Sequence, residues 1–271
     1  MKLVIFGLTI SSSWGNGHAT LWRALLRALA KRGHDIVFFE KDVPYYAAHR
    51  DLREIEYGHL RLYSEWSDVR EEAQRELGDA DAGMVTSYCP DGIAASELVL
   101  DSSATRRVFY DLDTPVTLSQ LSAGERVPYL PPQGLGDFDL VLSYTGGEAL
   151  SQLRSQLNAR LAMPLYGSVD PEEHRPVAPV TAYRSELSYL GTYAEDRQRA
   201  LVNLFLEPAC RLPSRRFLIG GAQYPSSFPW SENIHFKRHL PPAEHPAFFS
   251  SSRMTVNVTR HAMAAMGWCP S

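Results

Sequence analysis

The sequence predicts an α/β protein built from two doubly wound, parallel-sheet domains in tandem, the second carrying only about half of its strand–helix units. Three observations carry this. The first is Lys2 to Gly7, apolar without alternation, as a strand buried on both faces reads. It runs into a glycine-bearing loop, Ser11-Ser12-Ser13-Trp14-Gly15-Asn16-Gly17-His18, and then an amphipathic helix. The second is that strand and helix patterns then alternate as far as Tyr166. The third is a polar stretch from Gly167 to Ser185, stiffened by Pro171, Pro176 and Pro179, after which the alternation restarts. The division expected is residues 1–167, a linker over 168–185, and residues 186–271.

In chain order, Thr20 to Arg32 places Leu21, Ala24, Leu25, Ala28 and Leu29 on one helical stripe, with Gly33 to end it. Asp35 to Glu40 is the second strand of a right-handed βαβ unit. Strands follow at Leu60 to Tyr63, Ala82 to Ser87, Arg107 to Leu112, Leu140 to Ser143 and Met163 to Tyr166. Between them come helices at Glu65 to Leu77, Asp91 to Leu100, Pro115 to Ser122 and Glu148 to Leu157, with Asp91 and Asp113 as N-caps. The second half offers strands at Leu187 to Leu190, Arg216 to Ile219, Ile234 to Lys237 and Met254 to Val258, and helices at Ala194 to Leu206 and Pro242 to Ser250. A sheet ending there leaves an open edge, so the chain reads as part of something longer.

The bulk numbers exclude several classes. A formal net charge of -4 gives no electrostatic reason to propose nucleic acid or an anionic membrane surface as partner. The three cysteines, Cys89, Cys210 and Cys269, are far apart; they make neither a metal motif nor a disulfide framework, and a reducing cytoplasm is the simplest setting. The apolar runs are strand-sized, well short of a membrane span. The start, Lys2 to Ile10, lacks a convincing cleavage site for a signal peptide.

Chemistry is expected at the carboxyl ends of the strands. Gly15, Asn16 and Gly17 let backbone N–H groups approach a phosphate at a helix N-terminus, and the same residues also make an ordinary tight strand-to-helix turn. His18 opens that helix, where a positive charge is disfavoured, so a neutral imidazole able to take a proton is expected, or a packing residue. Glu40 mimics the acid that binds a dinucleotide's ribose, but Thr20 stands where the third glycine or alanine of that fingerprint belongs. Asp111 and Asp113, at i and i+2 after a strand, can both reach the crevice to orient a hydroxyl or act as base; no third metal ligand accompanies them. Thr145 lies in a hydroxyl-rich strand-end loop. In the second half, Gly191, Thr192 and Arg197, with Gly220, Gly221 and Tyr224, combine glycine turns and a fixed positive charge, as a diphosphate requires. Asn257 and Arg260 end the last strand on the same edge.

Taken together, Phe6 to Ile10, Ser13 to Ala19, Phe39 to Pro44, Tyr110 to Thr117 and Ser188 to Tyr193 resemble the CgeB-type (spore-maturation-like) glycosyltransferases, and Gly167-Ser168-Val169-Asp170 with Pro176 resembles the hinge of the broader GT-B superfamily. The resemblance implies a GT-B-like fold: two Rossmann-like domains across a cleft, the first taking a hydroxyl acceptor and the second a nucleotide-sugar donor (UDP- or another NDP-sugar), with no cofactor and no required metal. It places Gly15, Asn16, Gly17 and His18 near the donor phosphate and reacting centre, Asp111 on the acceptor side, and Gly191, Thr192 and Arg197 near the diphosphate. The family's nucleotide-holding glutamate belongs beyond Pro270-Ser271. The acceptor is a small molecule, a glycan or a protein. Two rivals stand beside this reading: an NAD(P)-dependent oxidoreductase, suggested by Gly15, Gly17 and Glu40, and a non-catalytic binding protein on a truncated transferase scaffold.

Overall fold

The computed structural model describes residues 1–269. The chain divides into two compact units, residues 1–168 with 265–271, and residues 169–264. Pro270 and Ser271, where the family pattern would continue, lie outside the described residues.

The first unit is a seven-stranded sheet whose neighbours all pair in parallel. Its elements are β1 (Lys2–Gly7), α1 (His18–Lys31), β2 (Asp35–Lys41), α2 (Pro44–Ala47), β3 (His59–Tyr63), α3 (Trp66–Gly78), β4 (Ala82–Thr86), α4 (Gly92–Leu100), β5 (Arg106–Asp111), α5 (Thr114–Ser122), β6 (Leu140–Ser143), β7 (Gly146–Gly147), α6 (Glu148–Leu157) and β8 (Ala162–Pro164). The sheet order is β3-β2-β1-β4-β5-β6-β8. Strand order therefore reverses between β1 and β4, and the loops leaving those two strands diverge there to open a crevice.

Alternation along each strand builds the two cores. Ile5, Ile36, Phe38, Val108 and Tyr110 face α1, where they bury Trp22 and Leu26. On the other face, Phe6 stacks on Phe39 at 5.0 Å and meets Trp66 of α3 edge-on at 5.8 Å. Each fully buried side chain of this size contributes about 2 kcal/mol, which is why β1 and β2 read as unbroken apolar runs.

The second unit is a four-stranded parallel sheet of order β11-β10-β9-β12. Its elements are β9 (Ser185–Leu190), α7 (Glu195–Leu201), α8 (Glu207–Arg211), β10 (Phe217–Gly221), β11 (Ile234–Arg238), α9 (His245–Ser251) and β12 (Ser252–Thr255). Helix α10 (His261–Met266) then leads to β13 (Trp268–Cys269), which belongs to the first unit. Phe205, Phe217, Ile219 and Ile234 fill one face, and Tyr183, Leu218, Leu240 and Phe248 the other.

The structure corrects the element assignment at several points. The helix expected over 194–206 is longer and interrupted: a π-helical turn, Val202–Leu206, joins α7 to α8. That wider turn precedes Pro208, which has no N–H for a regular ladder. The helix expected from Pro242 begins as a 3₁₀ turn, and α9 proper starts at His245. Strand β12 ends at Thr255 rather than Val258, and β8 runs from Ala162 to Pro164 rather than from Met163 to Tyr166. The polar stretch 168–185 is tied down: Val177 N–H and Val180 N–H donate to the hydroxyls of Ser250 and Ser251, and a 3₁₀ turn covers Thr181–Tyr183. The last strand, β13, belongs to the first unit and pairs antiparallel with β7 there.

Gly221 ends β10 at φ +152°, and a Cβ there would lie 2.0 Å from the Gly191 carbonyl oxygen. Gly221→Ala is therefore expected to cost about 2 kcal/mol or more. Urea unfolding followed by circular dichroism measures it, and a loss below about 0.5 kcal/mol would contradict the close approach.

Candidate functional site

The carboxyl edge of the first sheet is organised by a carboxylate with no exposure to solvent. Glu40, near the end of β2, is fully buried. Its oxygens accept hydrogen bonds from the Thr9 hydroxyl (2.7 Å), Ile10 N–H (2.8 Å), Ser11 N–H (3.0 Å) and the Ser11 hydroxyl (2.5 Å). A buried carboxylate is tolerable only with such a full set of donors. This corrects the expectation that Glu40 mimics a ribose-binding acid: its acceptor positions serve the loop after β1.

A second carboxylate holds the next stretch. Asp51 accepts from Ser13 N–H at 3.0 Å and the Ser13 hydroxyl at 2.6 Å, and pairs with the Arg23 guanidinium at 2.7 Å. Burial alone would raise this carboxyl, but Arg23 and Ser13 hold it below its usual range. Arg23 also donates from Nε to the Ile10 carbonyl, tying α1 back to the loop. Trp14 stacks on His49 at 4.1 Å.

These anchors deliver the loop to the N-terminus of α1. Gly15 turns at φ +61°. Asn16 Oδ1 accepts from His18 N–H at 3.0 Å, which starts the helix at His18, earlier than the expected Thr20. The other half of the Asn16 amide, Nδ2, is buried and has no hydrogen-bond partner. Beside it, Gly17 is exposed, with open space where a side chain would stand. His18 is half-buried and meets the Tyr144 ring edge-on at 6.1 Å. An unused amide donor at a helix N-terminus suits an anion.

The ends of β5 and β6 differ from expectation. Asp111 is fully buried, so it does not line a surface as predicted; its Oδ1 accepts Asp113 N–H at 3.1 Å and its Oδ2 receives no hydrogen bond. Burial pushes its carboxyl up to about 6. Asp113 is the partly exposed member of the pair. It stands at the N-cap position of α5 without a side-chain capping bond and instead accepts the Tyr88 hydroxyl at 3.1 Å. Asp91, also expected to cap with its side chain, accepts the Tyr63 hydroxyl at 3.0 Å and pairs with Lys41. Thr145 is buried under the Ser143 hydroxyl, which donates to its carbonyl. Sequence reasoning passed over Thr9, Ser11, Asp51 and Arg23 as a loop clamp, because their partners lie on other elements.

In the second unit the glycines serve close packing. Gly191 N–H is spent on the Gly220 carbonyl (2.9 Å), and Tyr193 N–H on the Ala222 carbonyl (2.9 Å), so Gly191 does not offer its N–H to a phosphate as expected. Gly220 and Gly221 are both buried. Thr192 is half-buried at the head of the loop into α7. The Tyr224 hydroxyl donates to the Gly191 carbonyl at 3.1 Å. Arg197 Nε is buried and without a hydrogen-bond partner. Arg260 pairs with Asp196 at 3.5 Å, joining the ends of β9 and β12 at the point where this sheet reverses order, and Asn257 is exposed beside it. Among the described residues no group of three or more His, Cys, Asp or Glu could hold a metal ion, and no helix is long and apolar enough to cross a membrane.

With this geometry in place, the chain can be set beside known proteins. A family model described as glycosyl transferase-like matches residues 197–271. No curated protein matches the chain. Among solved structures, an alpha-glucosyltransferase in complex with UDP and a 13-mer DNA is 13% identical with a TM-score of 0.61, over 94% of this chain and 71% of its own. An alpha-glucosyltransferase with UDP-glucose and DNA containing an abasic site is 13% identical, TM-score 0.61, over 94% and 72%. The T4 phage BGT with its UDP-glucose substrate is 10% identical, TM-score 0.57, over 97% and 74%. The fold is thus that of the GT-B glycosyltransferases, with parallel, Rossmann-like sheets in both units.

The buried Asp111 makes a pH-dependent prediction. Its folded-state value of about 6 lies above the ordinary 3.8 of an aspartate, so its ionised form destabilises the fold above pH 6 and ceases to do so below pH 4. Asp111→Asn is expected to stabilise by about 2 kcal/mol at pH 8 and by nothing measurable at pH 4. Urea unfolding at both pH values checks this; an equal effect at the two would show that Asp111 carries no such penalty.

Proposed function

We propose that the chain is a nucleotide-sugar-dependent glycosyltransferase, of CgeB type on its sequence motifs, that moves a sugar to a hydroxyl acceptor. The observation that carries this reading is the unused Asn16 amide beside exposed Gly17 at the α1 N-terminus, a built site for an anionic leaving group on a glycosyltransferase fold. The family match over residues 197–271 supports it, because it falls on the unit expected to hold the donor.

In this reading the acceptor oxygen bonds to the anomeric carbon as the bond from that carbon to the diphosphate oxygen breaks. The electron pair leaves with the nucleoside diphosphate, and the acceptor proton passes to the His18 imidazole. Asn16 Nδ2, Gly15 and Gly17 stabilise the departing charge. Most of the rate comes from holding donor and acceptor together. Asp113 takes over the acceptor-side role expected of Asp111, since it alone of the two is partly exposed. The solved alpha-glucosyltransferases named above were captured with DNA, but this chain's net charge of -4 favours a neutral or cationic acceptor.

The oxidoreductase reading loses its support here, because the acid it needs for a ribose is buried in the loop.

His18→Ala is expected to lower UDP release from UDP-glucose at least about 100-fold while leaving thermal unfolding within a few degrees of wild type. A coupled assay for UDP reads the rate. Unchanged turnover would remove His18 from the mechanism.

A further inference from the structure

Tyr88 lies immediately after Ser87 at the end of β4, and its backbone sits at φ +63°. For a bulky aromatic residue this left-handed conformation costs about 1–2 kcal/mol. Such strain persists only where the surroundings fix it, and here they do so from both sides. Ser87 N–H donates to the Tyr110 carbonyl, and Leu112 N–H donates to the Ser87 hydroxyl at 2.8 Å, clamping the turn after β4 to the turn after β5. On the far side, Cys89 N–H closes on the Thr86 carbonyl and Gly92 N–H on the Cys89 carbonyl.

Between these clamps the Tyr88 side chain is thrown across the edge of the sheet. Its ring packs on Tyr129 at 5.1 Å, and the Tyr129 hydroxyl is itself fixed by Thr117 at 2.8 Å. Its hydroxyl donates to Asp113 Oδ2 at 3.1 Å. Burial and the nearby Asp113 carboxylate raise the Tyr88 phenol well above its ordinary value, so it remains a donor across the working pH range. The backbone of Asp113 is fixed separately, through its N–H on Asp111 Oδ1. One carboxylate oxygen of Asp113 is therefore occupied by a rigidly held phenol, and the residue stays partly exposed.

We propose that Tyr88 is a positioning residue, whose strained backbone and hydroxyl hold the Asp113 carboxylate in an orientation that accepts a hydrogen bond from an O–H of the acceptor other than the one His18 deprotonates. The inference rests on the transferase reading above and adds to it the element that sets acceptor geometry. From this left-handed turn the Tyr88 hydroxyl reaches Asp113.

The test compares wild type with Tyr88→Phe, which keeps the ring on Tyr129 and removes only the hydroxyl. The probes are UDP, for binding by calorimetry, and UDP-glucose with water as acceptor, for turnover. A hydrogen bond to a charged group is worth enough to shift the rate about tenfold. Tyr88→Phe is expected to lower kcat about tenfold, with the KM for UDP-glucose, the UDP affinity and the unfolding temperature unchanged. An unchanged kcat would overturn the proposal. So would a fall in kcat accompanied by matching losses in UDP affinity and unfolding temperature, since that is the signature of a structural role. A wild-type chain that binds UDP but releases none from UDP-glucose would overturn it too, because Asp113 would then have no hydroxyl to orient. A wild-type chain that does not bind UDP would instead bring down the transferase reading itself.

Discussion

The first unit depends on one buried charge. Glu40 brings a carboxylate to the end of β2 with no water to solvate it, and the loop leaving β1 supplies the solvation: two backbone N–H groups and two hydroxyls. Removing any of these donors leaves part of a charge unpaired, at a cost of some kcal/mol. The loop therefore has one low-energy path across the top of the sheet. That path presents Ser13 to Asp51, turns at Gly15, and sets Asn16 against the first turn of α1.

The fold was legible because its drivers are local. An apolar run without alternation marks β1, a helical stripe marks α1, and Gly33 sits at the end of α1, its N–H returning to the Ala30 carbonyl at 2.8 Å. What escaped was set by neighbours. The π turn before Pro208 depends on how a helix accommodates a missing donor. The pairing of β13 with β7 joins segments more than a hundred residues apart, and two-residue strands leave no periodicity to read.

The candidate site was legible in its loops and not in its side-chain roles. The sequence marks Gly15, Asn16, Gly17 and His18 as a strand-to-helix loop, and the structure keeps that loop at the sheet's carboxyl edge. It reverses the roles of the acids. Glu40 and Asp111 are spent inside, while Asp113 takes the partly exposed place. Spacing of i and i+2 after a strand says only that both residues leave on one side; it does not say which carboxylate the next helix covers. Tyr88 was legible only as an aromatic near a strand end, because tyrosine has no preference for the left-handed region that its neighbours impose.

The central claim is that the Glu40-held loop presents Asn16 to the phosphate of a nucleotide. Calorimetric titration of the intact chain with UDP and with NADH, repeated on Asn16→Ala, tests it most directly. UDP is expected to bind, Asn16→Ala to weaken it about tenfold, and NADH to give no heat beyond dilution. Binding of NADH, or UDP affinity indifferent to the loss of the Asn16 amide, would contradict it.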